Sequence, residues 1–583
     1  MTEQIEHPYG ISVTKRLVVP AAEHMLYHIQ PTFGEEHIAL IDYMGGDEMV
    51  ARVATAGCGA EIFPEKPSLP DLFSYMHTRS IAEPFEAVQL RFKIQSSITD
   101  ALHMVYEPRA SVNEYSGRYS VMIDSSHIPS LETLITKLGD PEKATEARHL
   151  IEQSRASSYA DYQKLIGEEI GLTRELSRIY LELNNDTVFF WRIDLPSLMH
   201  FVEKKRALKS DQPHDTLHAY LDVMEQAARN VAPYASEVLQ KKEKSSLKLT
   251  MPLDEEVMKN SYPKPSWQPQ ETRRVTSVAF EKILFVRENY DQDNGMVQAI
   301  DYMGDDHTPA ETARISYGSG TRRVSEDKHL IRYLMRHRHT TPSEHVVVAF
   351  EGHAPVFVDP RQAGRHRTLT NHSFMGETVV GNVPFLPGIN EMAKQSAVNK
   401  QGRGEVLAET ARTAQDILIK AELRQQELTD RLRELNVPED DIRGTKGVGF
   451  YAPRWRMGTL HNWCHYFGLR VDPHAQREIQ MYAKAQMDMI ERLAPTTIQA
   501  LKDYRIDTFF FSEPELQMLS SLIATTPRLL DHLETYKPFG FVTGDKEKGT
   551  EKLTREGGEL QGKLKALLQH HFELLKKEME QHE

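Results

Sequence analysis

Length, composition and charge exclude several classes of protein. The chain has 583 residues, a formal net charge of −14, 40% hydrophobic residues and 26% charged residues. This length exceeds what one hydrophobic core supports and indicates about two to four domains. The acidic balance disfavours bulk binding to nucleic acid, and no apolar run approaches the ~20 residues needed to cross a membrane.

The N-terminus and the cysteines indicate a reducing compartment. The first residues, MTEQIEHPYG, show no basic segment followed by an apolar stretch, so no signal peptide is predicted. Cys58 and Cys464 cannot build a disulfide framework. Neither stands beside a motif that would activate a thiolate. We therefore predict a cytoplasmic protein in which both cysteines are structural.

Two stretches of the chain repeat one another in order. IDYMGGDEMVARVAT begins at Ile41, and the similar IDYMGDDHTPAETARIS begins at Ile300. Further along, IAEPFEAVQLRF lines up with TTPSEHVVVAF, which pairs Glu86 with Glu344. LHMVYEPRASVNEYSGRYS then lines up with RQAGRHRTLTNHSFMGETV. Ordered matches of this kind indicate a tandem duplication of one domain.

Each copy combines helical and strand patterns, which predicts an α+β fold. In the second copy, KHLIRYLMRHRH has the apolar spacing of an amphipathic helix. The β-branched segment HVVVAFEGHAPVFV predicts a strand. Asp359 followed by Pro360 predicts the start of the next helix. Long helices are predicted over 141–170 in the first copy and 398–436 in the second.

Composition divides the chain into four parts. We predict an N-terminal copy over 1–250 and a linker over 251–274, where proline and charge are dense and apolar periodicity is missing. The C-terminal copy is predicted over 275–545. The remaining residues, 546–583, carry leucines at helical spacing among many charges and predict a charged C-terminal helix.

Arginine and histidine are concentrated in two short segments of the second copy. Residues 335–345 and 361–368 together hold five arginines and four histidines. Guanidinium groups grip phosphates with paired donors, so these segments fit a pyrophosphate or a nucleotide phosphate. A solvated basic surface is the simpler alternative. His337 and His339 form an HxH pair, but no carboxylate or cysteine completes a metal-ligand spacing, and we predict no metal.

A small polar loop in the first copy offers a second set of phosphate ligands. Within residues 110–120, Gly117 stands between Ser116 and Arg118. Such a turn combines backbone N–H groups, a hydroxyl and a guanidinium, and this set binds phosphate well. Any surface loop can contain these residues, so the motif alone is weak.

These two segments resemble the signature of the flavin-dependent thymidylate synthases, divided between the copies. In that family an Arg-His-Arg segment is followed by a spaced Ser, within a pattern that ends Ser-Val-Asn-Glu-x-Ser-Gly-Arg-Tyr-Ser. The second copy keeps Arg365, His366 and Arg367, but has Met375 and Glu377 at the later Ser and Arg positions.

The first copy keeps the complementary half of the signature. Ser116, Gly117 and Arg118 are present, whereas residues 106–108 read Tyr-Glu-Pro where the family has Arg-His-Arg. The resemblance also implies the family fold, a small antiparallel sheet with long helices, in each copy. The family's active site forms between subunits of a homotetramer, so a fused pair can divide it. We therefore predict an FAD half-site in the second copy, a dUMP-phosphate half-site in the first, and a homodimer that mimics the tetramer.

Roles of single residues are implied by the resemblance, position by position. FAD contacts are implied for Ser316, Thr341, Arg365, His366, Arg367, His465, His474 and Glu114. Contacts with dUMP are implied for Gln362, Arg365, Arg470, Glu114, Ser116, Gly117, Arg118 and Arg178. Arg470 would stabilise the negative charge that develops on the pyrimidine, which is usually a large catalytic effect. His339 matches a family histidine near the flavin ring.

The implied reaction is the flavin-dependent methylation of dUMP to dTMP. Methylenetetrahydrofolate would supply the carbon and NADPH would reduce FAD, so the cofactor carries the chemistry and the protein orients it. No nucleic-acid or membrane partner is predicted.

Several positions depart from the family pattern and leave other functions open. Thr459 and His465 stand where the family usually has Asn near the flavin. Lys205 occupies the first-copy position of Arg470, so a second, mirrored site is not expected. The alternatives are a flavoprotein that acts on another pyrimidine nucleotide, a non-catalytic member that binds FAD or nucleotide, and a nucleic-acid binder.

Overall fold

The structure is a computed structural model that describes most of both copies. The described residues are 11–55, 68–79, 81–118, 120–207, 215–240, 269–286, 288–290, 295–317, 327–358, 369–372, 384–395, 403–407, 410–437, 448–508, 542–543 and 552–553. Both copies lie within one compact unit, Met1–Leu501, and Lys502–Glu583 form a second unit.

The first copy alternates short strands with helices of very different length. Its elements are β1 (Ser12–Thr14), α1 (Pro20–Glu23), β2 (Gln30–Phe33), β3 (Glu36–Met44), α2 (Asp47–Thr55), α3 (Leu69–Thr78), β4 (Gln89–Ser97), α4 (Ile98–Val105), β5 (Ser111–Glu114), α5 (Leu131–Leu138), α6 (Pro141–Ile166), α7 (Arg174–Ser177), β6 (Asp186–Asp194), α8 (Leu195–Arg206), α9 (Asp215–Val231) and α10 (Pro233–Gln240). Short 3-10 helices occur at Glu83–Ala87 and Arg178–Tyr180. The long α6 begins where predicted, because the Asp140 carboxylate accepts hydrogen bonds from the N–H groups of Glu142 and Lys143.

The second copy repeats much of this order. Its elements are β7 (Gln270–Thr272), α11 (Val278–Glu281), β8 (Glu288–Tyr290), β9 (Gly295–Met303), α12 (Thr308–Arg314), α13 (Asp327–Arg336), β10 (Val347–Pro355), β11 (Thr370–His372), β12 (Ala393–Gln395), β13 (Arg403–Val406), α14 (Ala411–Glu434), β14 (Tyr451–Thr459), α15 (Leu460–Arg470), α16 (Arg477–Leu493) and α17 (Pro495–Leu501). Short 3-10 helices occur at Ile315–Tyr317, Thr341–His345 and Ile389–Glu391.

The two main sheets have the same topology. The first runs β2-β3-β4-β6-β5 and the second β8-β9-β10-β14-β11, and every pairing in them is antiparallel. In the first copy the sheet and its helices share one apolar core that includes Phe92, Trp191, Tyr220 and Met224. The predicted tandem α+β fold with small antiparallel sheets is therefore confirmed.

The two copies also share an apolar cluster. Met44 and Met49 of the first copy lie in it with Ile300, Val347 and Trp455 of the second, and all are buried. An apolar contact of this kind is characteristic of permanent subunit interfaces.

Polar arms lock the copies together with pseudo-two-fold symmetry. Strand β1 pairs with β7, with Ser12 opposite Thr272. Just after β1, the buried Arg16 donates to the backbone oxygens of Tyr302 (2.8 Å) and Val275 (2.7 Å) in the second copy. Its Nε lies 3.5 Å from a carboxylate oxygen of Glu281.

Arg274 makes the same contacts in the opposite direction. It follows β7 and donates to the backbone oxygens of Tyr43 (3.3 Å) and Leu17 (2.6 Å) in the first copy. Its Nε lies 3.5 Å from Glu23. The interface is therefore isologous, as in a two-fold symmetric dimer, although one chain supplies both halves.

Two buried aspartates lie on the same pseudo-axis. The Asp42 carboxylate accepts from the N–H of Gly304, and Asp301 accepts from the N–H of Gly45, both at 3.1 Å. Gly45 has a φ of 79° and Gly304 a φ of 72°. Both values lie in the left-handed region, which favours glycine. Burial raises the pKa of Asp42 to about 6, against the lowering effect of Arg16 and Arg274.

The structure differs from the sequence prediction at two boundaries. The predicted helix 398–436 is wrong at its start, because Arg403–Val406 form β13 and the helix begins at Ala411. Gly402 and Gly404 disfavour helix there. The end of the predicted linker is folded, since β7 and Arg274 belong to the interlocked arms, while 251–268 lie outside the described residues.

The predicted charged C-terminal helix, 546–583, lies outside the described residues except for a short strand. In this second unit β15 (Val542–Thr543) pairs with β16 (Lys552–Leu553), and Lys502–Ile506 form a short π-helix. Across the described part of the chain, no helix is both long and apolar enough to span a bilayer.

Candidate functional site

The Ser-Gly-Arg loop begins at the edge of the first sheet. Strand β5 pairs with β6, with Glu114 opposite Phe189, and the Tyr115 N–H donates to the Val188 oxygen at 2.8 Å. The chain then leaves the sheet and turns, with the Ser120 N–H donating to the Ser116 oxygen at 3.1 Å. This edge position leaves the loop facing the second copy.

Ser316 of the second copy lies directly against this loop. The Ser116 N–H donates to the Ser316 backbone oxygen at 3.3 Å, and the Ser120 hydroxyl donates to the same oxygen at 3.4 Å. The Ser316 hydroxyl donates to the Glu114 backbone oxygen at 2.9 Å. A residue predicted to contact FAD and residues predicted to bind dUMP are thus joined within one chain.

Gly117 and Arg178 are also brought together. A Cβ on the buried Gly117 would lie 2.5 Å from the Met122 sulfur and 3.0 Å from Arg178 Cδ, so a larger residue there would displace one of these side chains. Arg118, the next residue, is exposed, and its N–H donates to the Ser116 hydroxyl at 3.4 Å. The loop therefore places two arginines and a hydroxyl around one turn.

Glu114 connects this loop to β6 and to Arg178. Its carboxylate accepts a hydrogen bond from the Thr187 hydroxyl at 2.7 Å. Burial raises the pKa of Glu114, and the Thr187 bond and the positive charge of Arg178 lower it in part. The Glu114 carboxylate is thus held in a fixed position beside the guanidinium.

Neighbouring contacts fix the relative position of the two copies here. Asn113 donates through its amide to the Thr312 backbone oxygen at 2.6 Å. Arg91 donates to the Thr312 hydroxyl at 2.9 Å and to Glu311 at 3.1 Å. Thr312 lies in α12, directly before the 3-10 helix that carries Ser316, so these bonds hold Ser316 against the loop.

The 3-10 helix Thr341–His345 packs against β5 and against α15. His345 is buried, and its ring centroid lies 6.3 Å from that of Phe190 in the first copy. Burial lowers the pKa of His345 well below its usual value, and the charges of Arg91 and Arg192 lower it further. Neither ring nitrogen has a hydrogen-bond partner among the described residues.

Four more predicted residues of the second copy lie at this 3-10 helix or on α15, which packs against it. Thr341 is its first residue, and His339 precedes it; both are exposed. His465 is exposed on α15 and lies near His461, whose pKa is lowered by burial and by the charge of His465. Arg470 is the last residue of α15.

His474 is not joined to the Ser-Gly-Arg loop by the contacts the structure describes. Its backbone N–H and its ring both bind the Asp472 carboxylate, at 2.7 and 2.9 Å. Gln362, Arg365, His366 and Arg367, predicted to bind FAD and dUMP, lie outside the described residues. Their roles stay predictions.

The mirrored position in the first copy has a different chemistry. Tyr106 ends α4 and is 78% exposed, so no Arg-His-Arg segment faces the second copy there. Lys205, at the end of α8, lies 3.2 Å from a ring nitrogen of His103. Near this mirrored position, the Thr370 hydroxyl of the second copy donates to the Glu86 carboxylate of the first copy at 2.9 Å.

Sequence reasoning missed Arg192. This buried arginine in β6 donates to the Ser111 hydroxyl at 2.7 Å. Burial lowers the pKa of Arg192, and the negative charges of Asp194 and of Glu344 in the second copy raise it in part. The available signal was the interruption of an apolar strand, FFWRI, by a single arginine. No group of three or more histidine, cysteine or acidic side chains in the described ranges is arranged to hold a metal ion.

Comparison with known protein families decides the relationship. The profile of the family described as "Thymidylate synthase complementing protein" matches the chain over residues 39–234 and again over 298–496. The chain belongs to this family. The two matched ranges are the two copies, so the family assignment, and with it the prediction of a methyltransferase-type enzyme, is confirmed.

Curated relatives carry a more specific name. The chain is 36% identical over 265 residues to the flavin-dependent thymidylate synthase of Gluconobacter oxydans, which covers 44% of this chain and 86% of the relative. It is 35% identical over 263 residues to the enzyme of the same name from Ehrlichia ruminantium, covering 44% of this chain and 88% of the relative. One relative therefore corresponds in length to about one copy.

Among solved structures, the chain is similar to a UMP/dUMP methylase, PolB, from Streptomyces cacaoi. The sequences are 20% identical, and the superposition covers 35% of this chain and 94% of that chain with a TM-score of 0.31.

Proposed function

We propose that this member of the family is an FAD-dependent thymidylate synthase whose site is composite, with one half from each copy. It would methylate dUMP to dTMP with methylenetetrahydrofolate as carbon donor and NADPH as reductant. The proposal is supported above all by the hydrogen bonds that join Ser316 of the second copy to Glu114 and Ser116 of the first.

The residues of the first copy fit a nucleotide phosphate. Arg118 and Arg178 would supply the positive charge, and the Ser116 hydroxyl and backbone N–H groups would supply further donors. The glycine at 117 keeps the turn tight against Arg178, since a side chain there would collide with it. Glu114 would orient Arg178 through their opposite charges.

The residues of the second copy would hold FAD beside that nucleotide. Ser316 faces the loop directly, and Thr341, His339 and His465 present exposed side chains around the 3-10 helix Thr341–His345 and α15. Donors of this kind suit the polar groups of a flavin nucleotide. FAD, when bound and reduced by NADPH, supplies the electrons for the reaction.

Arg470 is proposed to stabilise the negative charge that develops on the pyrimidine. A fixed guanidinium near the reacting base gains strength where water is excluded, and this kind of preorganised charge is usually a large catalytic effect. Burial and the positive charges of Arg91 and Arg192 favour the neutral form of His345. His345 would therefore not act as a second cation for the negative charge on the pyrimidine.

The direct test is formation of dTMP from dUMP by the full chain with methylenetetrahydrofolate, NADPH and FAD. We expect product only when all four are present, and a flavin absorption spectrum in the purified protein. A bound flavin without dTMP formation would favour a member acting on another nucleotide, and the absence of both would contradict the proposal.

A complementation test asks whether the composite site lies within one chain. Two impaired variants, Arg118→Ala and Arg470→Ala, are co-expressed with different tags, and the mixed oligomers are purified and assayed at a dUMP concentration far below KM. Because Ser116 and Ser316 bind each other within a single chain, we expect no recovery of activity. Recovery to about half of wild type would place the site between chains and leave the activity itself intact, since one of the two shared sites in a mixed dimer would then carry neither substitution.

A further inference from the structure

Two ion pairs join the copies at pseudo-symmetric places in their interface. On one side, Arg52 in α2 of the first copy donates to the Glu351 carboxylate in β10 of the second, at 2.6 Å from Nη2 and 3.2 Å from Nε. On the other side, Arg91 in β4 of the first copy donates to Glu311 in α12 of the second at 3.1 Å. The two arginine side chains are 11% and 2% exposed, and their glutamates 18% and 34%. In both pairs the first copy supplies the positive charge.

The helical members of these pairs occupy equivalent positions. Arg52 follows Asp42 at the same distance along the chain as Glu311 follows Asp301. Helices α2 and α12 each come directly after the strand that carries the aspartate. The same helical position is therefore basic in the first copy and acidic in the second.

The strand members differ in charge in the same way. Arg91 and Ala349 lie opposite the two equivalent aspartates, and both strand ladders shift register directly afterwards. Lys93 and Glu351 come next on the same face of their strands, because side chains alternate between the faces of a sheet. At these positions β4 of the first copy carries two basic residues, and β10 of the second carries an alanine and an acid.

A pair of like copies would lose this complementarity. Two first copies joined in the same way would place Arg52 beside Arg91 and Lys93. Two second copies would place Glu311 beside Glu351. Each contact occurs twice in a two-fold pair, so either pair would contain two like-charged contacts away from bulk water, and such contacts disfavour wrong partners strongly. A first copy with a second copy gives opposite charges at both places.

The interlocked arms do not make this distinction. Arg16 lies beside Glu281, and Arg274 lies beside Glu23. The same residue types stand on both sides, so a pair of like copies would form these contacts equally well. Selection between like and unlike copies therefore falls to residues that differ, such as the two ion pairs.

We propose that the two ion pairs select which copies associate. The surface formed by α2 and β4 of the first copy, which we call the basic face, fits the surface formed by α12 and β10 of the second copy, the acidic face. It rejects a second basic face, because specificity rests on an unfavourable contact in the wrong pair as well as a favourable one in the right pair. This selection brings one Ser-Gly-Arg loop to one Ser316, and it does not depend on the proposed reaction.

Single substitutions recreate the like-charged contacts within the full chain. Arg52→Glu brings two carboxylates together, and Glu311→Arg adds a positive charge beside Arg91 and Lys93. The neutral variants Arg52→Gln and Glu311→Gln are the controls, because they lose the attraction without adding repulsion. We expect the equilibrium constant for urea unfolding to rise at least about tenfold more in each like-charged variant than in its neutral control. Equal constants in each like-charged variant and its control would overturn the proposal.

Two double variants with the net charge of the wild type test the selection itself. R52E/E351R restores opposite charges within the chain, so its unfolding constant should return to within about tenfold of wild type. R52E/E311R makes both contacts within the chain like-charged, whereas contacts between like copies of different chains become opposite in charge. We expect this variant to form larger assemblies as its concentration rises in sedimentation velocity, and R52E/E351R to sediment as wild type, since the covalent link favours pairing within the chain.

The double variants also decide the outcome if a single variant fails to fold. Recovery of folded protein in R52E/E351R would support the charge contact, because the second change adds nothing else that Arg52→Glu removed. If R52E/E351R stays as unstable as Arg52→Glu, or if R52E/E311R unfolds and sediments like the wild type, the ion pairs do not select the partner and the proposal is wrong.

Discussion

The two copies share one topology and one type of interlocking arm, yet they differ at most of the positions assigned to FAD and dUMP. The first has the Ser-Gly-Arg loop and a solid apolar core. The second has Ser316, the histidine-rich segment before Thr341, and buried arginines at 454 and 456. The symmetric contacts of the arms hold the pair together, and the asymmetric positions are those that would select the partner or meet ligands.

This division shows what fusion permits. In a homo-oligomer a substitution that improves one half-site also appears in every other subunit. In a fused pair each copy changes alone, provided that the shared interface is kept. The comparison therefore predicts paired variants with equal effects at the interlock and unequal effects at the sites.

The largest effect is expected at the interlock. Arg16→Ala should lower the free energy of unfolding by about 3 to 5 kcal/mol, because it removes a buried positive charge beside Glu281 and two hydrogen bonds to backbone oxygens of the second copy. Arg274→Ala should cost the same within error, since it removes the equivalent charge beside Glu23 and two hydrogen bonds to the first copy. Urea unfolding measures the loss of stability in each variant. A large difference between the two losses would contradict the proposed equivalence of the two arms.

A pH dependence should distinguish equivalent aspartates. Asp47 accepts from the N–H groups of Tyr234 and Ala235, and Asp306 does the same for Thr496 and Thr497. Burial raises the pKa of Asp47 from 3.8 to about 7. Its stabilising contribution is therefore complete below about pH 4 and is lost as the pH rises through 7, by about 4 kcal/mol.

Unfolding from pH 4 to 7.5 tests this difference. Asp47→Asn should flatten the decline in stability over this range, because the residue no longer ionises. Asp306→Asn, at a less buried position, serves as the matched control and should leave the slope unchanged. Identical slopes in the wild type and both variants would refute the role given to Asp47.

The division of the site predicts unequal effects on activity. Arg118→Ala should reduce kcat/KM for dUMP by roughly 30-fold, about 2 kcal/mol, because a charged contact with the phosphate is lost. Glu377→Ala, at the corresponding position of the second copy, should leave activity within about twofold of wild type. Equal losses would mean that both loops serve a site.

The smallest effect concerns the tight turn at Gly117. Gly117→Ala should weaken dUMP binding by about fivefold, roughly 1 kcal/mol, because the new methyl group displaces Arg178 or Met122. Isothermal titration measures the affinity. In the double variant Gly117→Ala/Met122→Ala, the smaller side chain at 122 should restore part of the lost affinity for dUMP. If the two single losses instead add, the steric conflict does not involve Met122.

The sequence predicted the duplication and the fold well, for a physical reason. Both are encoded locally, in repeated motifs and in apolar periodicity, as with the strand β10 and the helix α13. The loop at 116–118 was also predictable, because its residue types suit a phosphate wherever they stand. The prediction of a helix over 398–436 was wrong at its start. There the charged pattern suggested a helix, but Gly402 and Gly404 disfavour one and residues 403–406 pair as a strand.

Other features depend on contacts that a single sequence does not reveal. The contact between Ser316 and Glu114 depends on how the two copies pack. Their separation in the sequence does not show that these two residues are close in space. The ion pairs of Arg52 with Glu351 and of Arg91 with Glu311 join residues 299 and 220 positions apart, so they too become visible only in the packed structure. The segment 361–368, central to the family signature, lies outside the described residues, so its role is still a prediction.

The interlocked arms have a consequence for the covalent connection between the copies. Each arm reaches across to the other copy through its own contacts, so the peptide link contributes effective concentration rather than structure. A gene cut between residues 240 and 269 should therefore yield two polypeptides that find each other and purify together. In this view the contacts of the arms hold the two copies together, and fusion makes the association permanent and allows each copy to change separately.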